Sequence, residues 1–286
     1  MTDLTLIFLN YNTPDWISLA LKTLQKYYLA KTKFKVEVIV VDNSSTDHSV
    51  KMLKEEFSWV KVLEASQNGG FAVGNNLALK QVRSRYAMLI NSDIEFSEKS
   101  ALDALIYYMD ANPNVAVTTP KVLLASGKLD PASHRGEPTP WASLSYFSGL
   151  AKAFPKSKLF AQYHQTYQSL DQVHPIDACS GAAMMVRTAA MEKVGYLDER
   201  FFMYAEDLDW CKRFRDHGYQ VIYIPEATVV HHKYKSGRGH TDSSISQRTS
   251  AHFYQTMLQY FDKHYQSQYP FFVRWGIQLF VWYKTR

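Results

Sequence analysis

The chain is poor in cysteine, in long apolar runs and in charge of one sign. Its 286 residues hold two cysteines, Cys179 and Cys211. They are far apart and match no metal-ligand spacing. Two thiols make no disulfide framework, so a reducing cytosol is the expected compartment. No stretch reaches the roughly 18 apolar residues of an ordinary membrane-spanning helix. Met1-Thr2-Asp3 leads into a strand-like run without the basic region and cleavage site of a signal peptide. A net charge of +5 is too mild and too dispersed to argue nucleic-acid binding. Acidic ligands or an anionic membrane surface fit it as well. No G-x-G-x-x-G follows the first strand, and no glycine-rich loop ends in Gly-Lys-Ser/Thr. These absences argue against a dinucleotide dehydrogenase and a Walker-type nucleotidase.

What is present is ordinary globular composition, 46% hydrophobic and 21% charged, with aromatics high at 14%. Sugar sites, membrane interfaces and large cores all use aromatics. Leu4–Leu9 is an apolar run of strand length. Thr13 and Pro14 supply an N-cap and a first-turn proline, and Trp16, Leu19, Ala20, Leu24 and Tyr27 recur on one helical face. Strands are predicted at Phe34–Val41, Val60–Leu63, Tyr86–Ile90 and Val115–Thr118, with helices over 47–57, 71–83 and 97–110 between them. This alternation predicts an α/β fold with a mostly parallel sheet and helices on both faces. In such sheets ligands bind beyond the carboxyl ends of the strands. Three polar clusters fall at those ends: Asn10-Tyr11-Asn12, Asp42-Asn43-Ser44-Ser45 and Asn91-Ser92-Asp93.

Residues 129–172 hold four prolines and little periodicity, which predicts a long mobile excursion of the functional kind. Beyond it, regular structure is expected to resume at Ile176–Arg187, and strands are expected at Gln220–Ile224 and Ala227–Val230. Helices are expected over 188–194, at Asp207–His217 with Gly218 as its stop, and over a long stretch, Asp242–His264. The tail Tyr269–Arg286 is dense in aromatics, with Phe272, Trp275 and Leu279 sharing a helical face. It suits an anionic membrane interface. Its alternative covers are the domain itself or a second copy, which would make a homodimer.

Asp93 and His231 are acceptable ligands for Mn²⁺ or Mg²⁺, with phosphate oxygens completing the shell. A turn cap and a strand-end histidine are the plainer reading of the same residues. Glu206, Asp207 and Asp209 open a helix, where the macrodipole favours negative charge. Crowded acids also raise one another's pKa and can poise a general base. Glu206 and Asp209 share a helical face, and Asp207 points elsewhere. The glycine-rich start at Gly69–Asn76 can approach a phosphate or a base closely.

The segments LIFLNYNTPDW, VIVVDNSSTDHSV, NGGFAVGNN, MLINSD, SGAAMMVR, VGYLDERFFMYAEDLDWCKRFRDHGY and IPEATVVHH occur in that order. Together, over roughly residues 4–240, they resemble the inverting glycosyltransferases of family two. The most similar group is the rhamnosyltransferase-like enzymes of bacterial surface-polysaccharide assembly. The resemblance implies a GT-A fold, a Rossmann-like α/β domain over 1–240, with 241–286 as a C-terminal helix and tail. It implies that Asp42 bonds the nucleotide base and that Tyr11 packs on the nucleoside. Asn68, Gly69 and Asn75 would line the donor pocket. Asn91-Ser92-Asp93 replaces the D-x-D motif, with Asn91 in place of its first carboxylate and Asp93 as metal ligand. His231 would complete the metal site, Arg238 and Lys235 would contact the diphosphate, and Asp207 would be the catalytic base. The implied cofactor is Mn²⁺ or Mg²⁺. The implied partners are a dTDP- or UDP-linked sugar and a glycan acceptor carried on polyprenyl diphosphate. The implied location is cytoplasmic, at the inner face of the membrane. A UDP-hexose or UDP-N-acetylhexosamine transferase, a sugar-phosphate nucleotidyltransferase and a non-catalytic glycan binder are the alternatives.

Overall fold

The computed structural model describes residues 2–233 and 243–286, with side chains from 252 onward in the second stretch. The strands are β1 (Leu4–Asn10), β2 (Val36–Asp42), β3 (Lys61–Glu64), β4 (Tyr86–Asn91), β5 (Ile94–Glu95), β6 (Val115–Leu124), β7 (His174–Ile176), β8 (Ala183–Arg187) and β9 (Gln220–His231). They form one sheet in the order β3-β2-β1-β4-β8-β6-β9-β5, with β7 also paired to β9. Strands β1, β2, β3, β4, β6 and β9 run one way, and β5, β7 and β8 run against them. The helices are α1 (Pro14–Leu24), α2 (Ser49–Glu56), α3 (Gly70–Leu79), α4 (Asp103–Ala111), α5 (Pro140–Phe147), α6 (Leu150–Ala153), α7 (Thr188–Val194), α8 (Glu206–Asp216), α9 (Ser243–His264) and α10 (Phe271–Thr285).

The central strands are apolar on both faces because both faces are covered. On β1, Leu4, Leu6 and Phe8 join Ile17, Leu21 and Leu24 of α1 and Ile106 of α4 in one core. Ile7 points the other way, into a second core with Ala72 of α3, Trp210 and Phe214 of α8, and Tyr260 and Phe261 of α9. β4 alternates likewise, with Met88 and Ile90 in the first core and Ala87 and Leu89 in the second. The segment after residue 241 thus contributes to the main core. Among the described residues no helix is long and apolar enough to cross a membrane.

Several elements differ from the sequence pattern for local reasons. Ser97 opens a turn, since its N–H is taken by Ser100 Oγ at 3.0 Å, and α4 begins only at Asp103. Structure over 176–187 divides between β7 and β8, and the residues between them leave the sheet to hold buried Arg135 through the Ala178 and Cys179 carbonyls. The two expected strands after Gln220 are one strand, β9. Ile224 faces Pro120 and Thr228 faces Lys121, so 225–227 bulge and pairing resumes. The excursion carries α5, capped by Thr139 Oγ1 accepting from the Ala142 N–H at 3.1 Å, and the short α6.

Candidate active site

Register brings the polar clusters together. Asn10 lies opposite Asp42, and Leu9 opposite Asn91, so β1, β2 and β4 end at one edge. A hydrogen-bonded chain then crosses that edge. Asn10 donates to Asp42 Oδ1 at 2.9 Å, Thr13 Oγ1 donates to Asn10 at 2.8 Å, and Thr13 and Ser92 hydroxyls meet at 2.9 Å. Asp42 also accepts from the N–H and hydroxyl of Ser45, at 2.8 and 2.6 Å. It is 2% exposed, whereas Tyr11 beside it is 44% exposed. The open surface over these strand ends is therefore Tyr11, with Asp42 bracing the floor beneath.

The glycine-rich loop is tied to this floor. Asn68 Oδ1 accepts from Asn43 at 2.9 Å and from the Gly70 N–H at 3.0 Å, and the Gly69 N–H donates to Asn43 at 3.2 Å. Asn75 is buried and returns its amide to Phe71 O at 2.9 Å, so it serves the helix itself. Gly70 has φ +80, and a Cβ there would run into the Phe202 carbonyl oxygen. That same carbonyl accepts the Phe71 N–H at 2.8 Å. The loop is thereby joined to the segment entering α8, where Tyr204 and Ala205 hold φ of 70 and 66. Such left-handed backbone costs about 1–3 kcal/mol per residue and clusters at working sites.

Asp207, at the start of α8, faces back to the sheet. Its Oδ2 accepts from Arg135 Nη2 at 2.7 Å and from the Gly181 N–H at 3.3 Å, and its Oδ1 from the Leu208 N–H at 2.7 Å. Ala182, next to Gly181, takes the Asn91 N–H at 3.1 Å, which places Asp207 near the end of β4. Arg135 Nη2 also donates to Cys179 O at 3.1 Å. Burial works against the guanidinium, but the Asp207 charge prevails and holds it firmly protonated. Glu206 is buried, and burial together with the neighbouring Asp207 charge pushes its carboxyl well above the usual range. Asp209 is elsewhere engaged, with Arg213, Lys263 and His264, and pins α8 to α9. Both thiols, Cys179 and Cys211, are fully buried, and burial raises the Cys179 thiol.

Asp93 and His231 meet because β5 carries the chain from the end of β4 to the end of β9, pairing Ile94 with His231. His231 Nε2 lies 3.2 Å from Asp93 Oδ1, and its Nδ1 bonds Asp130 Oδ2 at 2.8 Å. Asp130, fully buried, also takes Lys233 Nζ at 2.8 Å. Asn91 Nδ2 stands 3.4 Å from His231 Nε2. Burial disfavours imidazolium, yet the hydrogen bonds and charges of Asp130 and Asp93 outweigh it and raise His231 to about 9. Positive charge is drawn here. Asp93 Oδ1 is buried, and its polar neighbour among the described residues is His231 Nε2 at 3.2 Å, in a contact of poor hydrogen-bond angle. A buried carboxylate oxygen facing an anchored imidazole nitrogen fits a hard divalent cation. No set of three or more His, Cys, Asp or Glu side chains is poised around one ion among the described residues, so its remaining ligands would come from elsewhere.

The geometry brings together Tyr11, Asp42, Asn68, Gly69, Asn91, Asp93, Asp207 and His231. Arg238 and Lys235 lie outside the described residues. Sequence reasoning missed Asp130 and Arg135, both in the aperiodic excursion. The Asp130-Pro131 turn was the one available signal, since Asp130 caps that turn through the Ala132 N–H at 3.0 Å.

The model of glycosyl transferase family 2 matches residues 5–194. The chain belongs to that family. This family 2 glycosyltransferase is 23% identical over 237 residues to the low-salt glycan biosynthesis hexosyltransferase Agl10 of Haloferax volcanii, covering 82% of this chain and 68% of the other. It is 25% identical over 244 residues to the N-acetylglucosaminyl-diphospho-decaprenol L-rhamnosyltransferase of Mycobacterium tuberculosis, covering 82% and 77%. Its fold matches a mannosyltransferase from Pyrobaculum calidifontis in complex with GDP-Man and Mn²⁺, with TM-score 0.60 and 17% identity over 92% of this chain and 66% of that one.

Proposed function

We propose that this glycosyltransferase moves L-rhamnose from dTDP-rhamnose, with inversion, to a hydroxyl of a polyprenyl-diphosphate-linked glycan in bacterial surface-polysaccharide assembly. The observation that carries the reading is the Asp207 carboxylate, held by Arg135 and the Gly181 N–H near the strand edge that bears Asp93 and His231. The rhamnose and lipid-linked parts draw their support from the mycobacterial relative's name.

In this reading Asp207 takes the proton from the acceptor hydroxyl, and that oxygen attacks the anomeric carbon from the face opposite the leaving diphosphate. Arg135 and the Gly181 N–H fix the carboxylate, so little rearrangement is needed as the proton moves. Tyr11 packs on the nucleoside, Asp42 hydrogen-bonds its base, Asn68, Gly69 and Asn75 line the donor pocket, and Asn91 and Arg238 attend the diphosphate. Asp93 and His231 would hold Mn²⁺ or Mg²⁺, which when bound neutralises charge on the departing nucleoside diphosphate. The tail, α10, faces the inner membrane surface where such an acceptor resides.

The test is Asp207→Asn. Transfer, followed as release of nucleoside diphosphate, should fall by about 10²–10⁴. Donor-induced thermal stabilisation should persist. Substantial turnover in that variant would remove Asp207 from the role. A thermal-shift screen over nucleotide sugars identifies the donor, with stabilisation expected for dTDP-rhamnose above UDP-linked hexoses.

A further inference from the structure

The excursion and the tail share one surface. Between Glu137 and Asp171 the sequence has no acidic residue, but it has Lys152, Lys156 and Lys158. Beyond Asp262 it again has none, and α10 ends on Lys284 and Arg286. Large apolar side chains stand open on both stretches: Leu144 at 59% and Leu159 at 55% exposure in the excursion, Trp275 at 62% and Leu279 at 66% on α10. The two stretches touch, with the Phe147 and Phe280 rings 4.9 Å apart. Between α5, α6 and α9 lies a pocket of about 740 Å³ with Phe147 and Lys152 among its walls. Exposed apolar side chains on two stretches joined through the Phe147–Phe280 contact exceed the scattered singles of ordinary surface and mark an interaction site.

We infer that α5, α6 and α10 together form a single docking surface for an anionic lipid bilayer. Charge selects this occupant. Lys152, Lys156 and Lys158 meet no carboxylate among the described residues. A two-fold dimer through this face would set the patch against itself, lysine against lysine with no acid to answer it. Anionic headgroups answer every one of those cations, while Trp, Leu and Phe enter the acyl boundary. The excursion is then a second membrane contact beside the tail, and it flanks the segment that holds Arg135 on the base. The inference rests on the proposed function only in expecting a lipid-borne acceptor.

The experiment is vesicle flotation of the full chain, without donor or acceptor, on phosphatidylcholine alone and on phosphatidylcholine mixed with phosphatidylglycerol. Binding is expected to the mixed vesicles only. Lys156→Glu/Lys158→Glu, which leaves α10 intact, should weaken partitioning by at least about tenfold, from roughly fivefold per basic residue lost near an anionic surface. Leu144→Glu/Leu159→Glu should do the same with an unchanged unfolding temperature. Wild-type-like flotation of both excursion variants overturns the inference, as does equal binding to neutral vesicles. A dimer that these substitutions dissociate, with no lipid binding, overturns it in favour of self-association. Transfer from dTDP-rhamnose to a short-chain polyprenyl-diphosphate-linked glycan held in neutral detergent is measured alongside. Its absence in the unmodified chain would count against the proposed function and leave the flotation result standing.

Discussion

Arg135 and Asp207 form an ion pair of 2.7 Å whose side chains are only 10% and 11% exposed. The arginine comes from the excursion and the aspartate from the start of α8, so the pair joins the least regular part of the chain to that helix.

Breaking that pair from one side leaves an uncompensated buried charge. Arg135→Met is expected to lower unfolding free energy by about 3–5 kcal/mol, measured by urea denaturation. The double variant Arg135→Met/Asp207→Asn should lose less than the sum of the single variants, because the stranded charge is gone. Simple additivity would show that the two side chains do not depend on each other.

Asp130 has no donor or acceptor substrate to touch in the proposed reading, but it fixes the tautomer and aim of His231. Asp130→Asn should weaken Mn²⁺ binding by about 10–100-fold, the usual effect of removing the partner of a metal-ligating histidine. Calorimetric titration of Mn²⁺ in the presence of nucleoside diphosphate reads this directly. Unaltered affinity would mean that His231 is not a ligand.

His231 also predicts a pH dependence. Its folded pKa is raised from 6.5 to about 9, so its protonation stabilises the metal-free fold fully below 6.5, and that stability is lost as pH rises through about 9. Metal must displace this proton. Mn²⁺ binding near neutral pH should release about one proton per ion, seen as a dependence of binding enthalpy on buffer ionisation. With metal bound, the alkaline loss of stability should flatten.

Gly70 is irreplaceable on backbone grounds. Gly70→Ala forces a side chain into left-handed backbone and into the Phe202 carbonyl. A loss of at least about 1–3 kcal/mol in stability is expected, together with weaker donor binding, because the glycine loop and the segment before α8 would separate. A thermal-shift series with donor checks both. Gly127, whose Cβ would meet nothing within 4 Å, is the control for φ alone, since its φ is +77.

The sheet was legible because its central strands are continuous apolar runs separated by helical periodicity, and the polar clusters at Asn10, Asp42 and Asn91 mark where those runs stop. Register then did the rest, setting Asn10 beside Asp42 and Leu9 beside Asn91. What could not be read was whatever depends on long-range closure. The two-residue strand β5 has no period of its own, yet it delivers Asp93 to His231. Arg135 and Asp130 sit among prolines and polar residues whose spacing says nothing about burial. Asp42 is legible as a strand-end carboxylate, but its burial and its bonds to Asn10 and Ser45 come from strand register, which the sequence does not print.

The chain's two thiols provide an internal gauge. Cys179 and Cys211 are wholly shielded, and Cys179 offers its carbonyl to the same guanidinium that clamps Asp207. A sulfhydryl reagent can reach them only when the wall behind Asp207 parts. Their labelling rate in the unmodified enzyme, with and without donor, therefore clocks how often that wall opens, and no introduced probe is required.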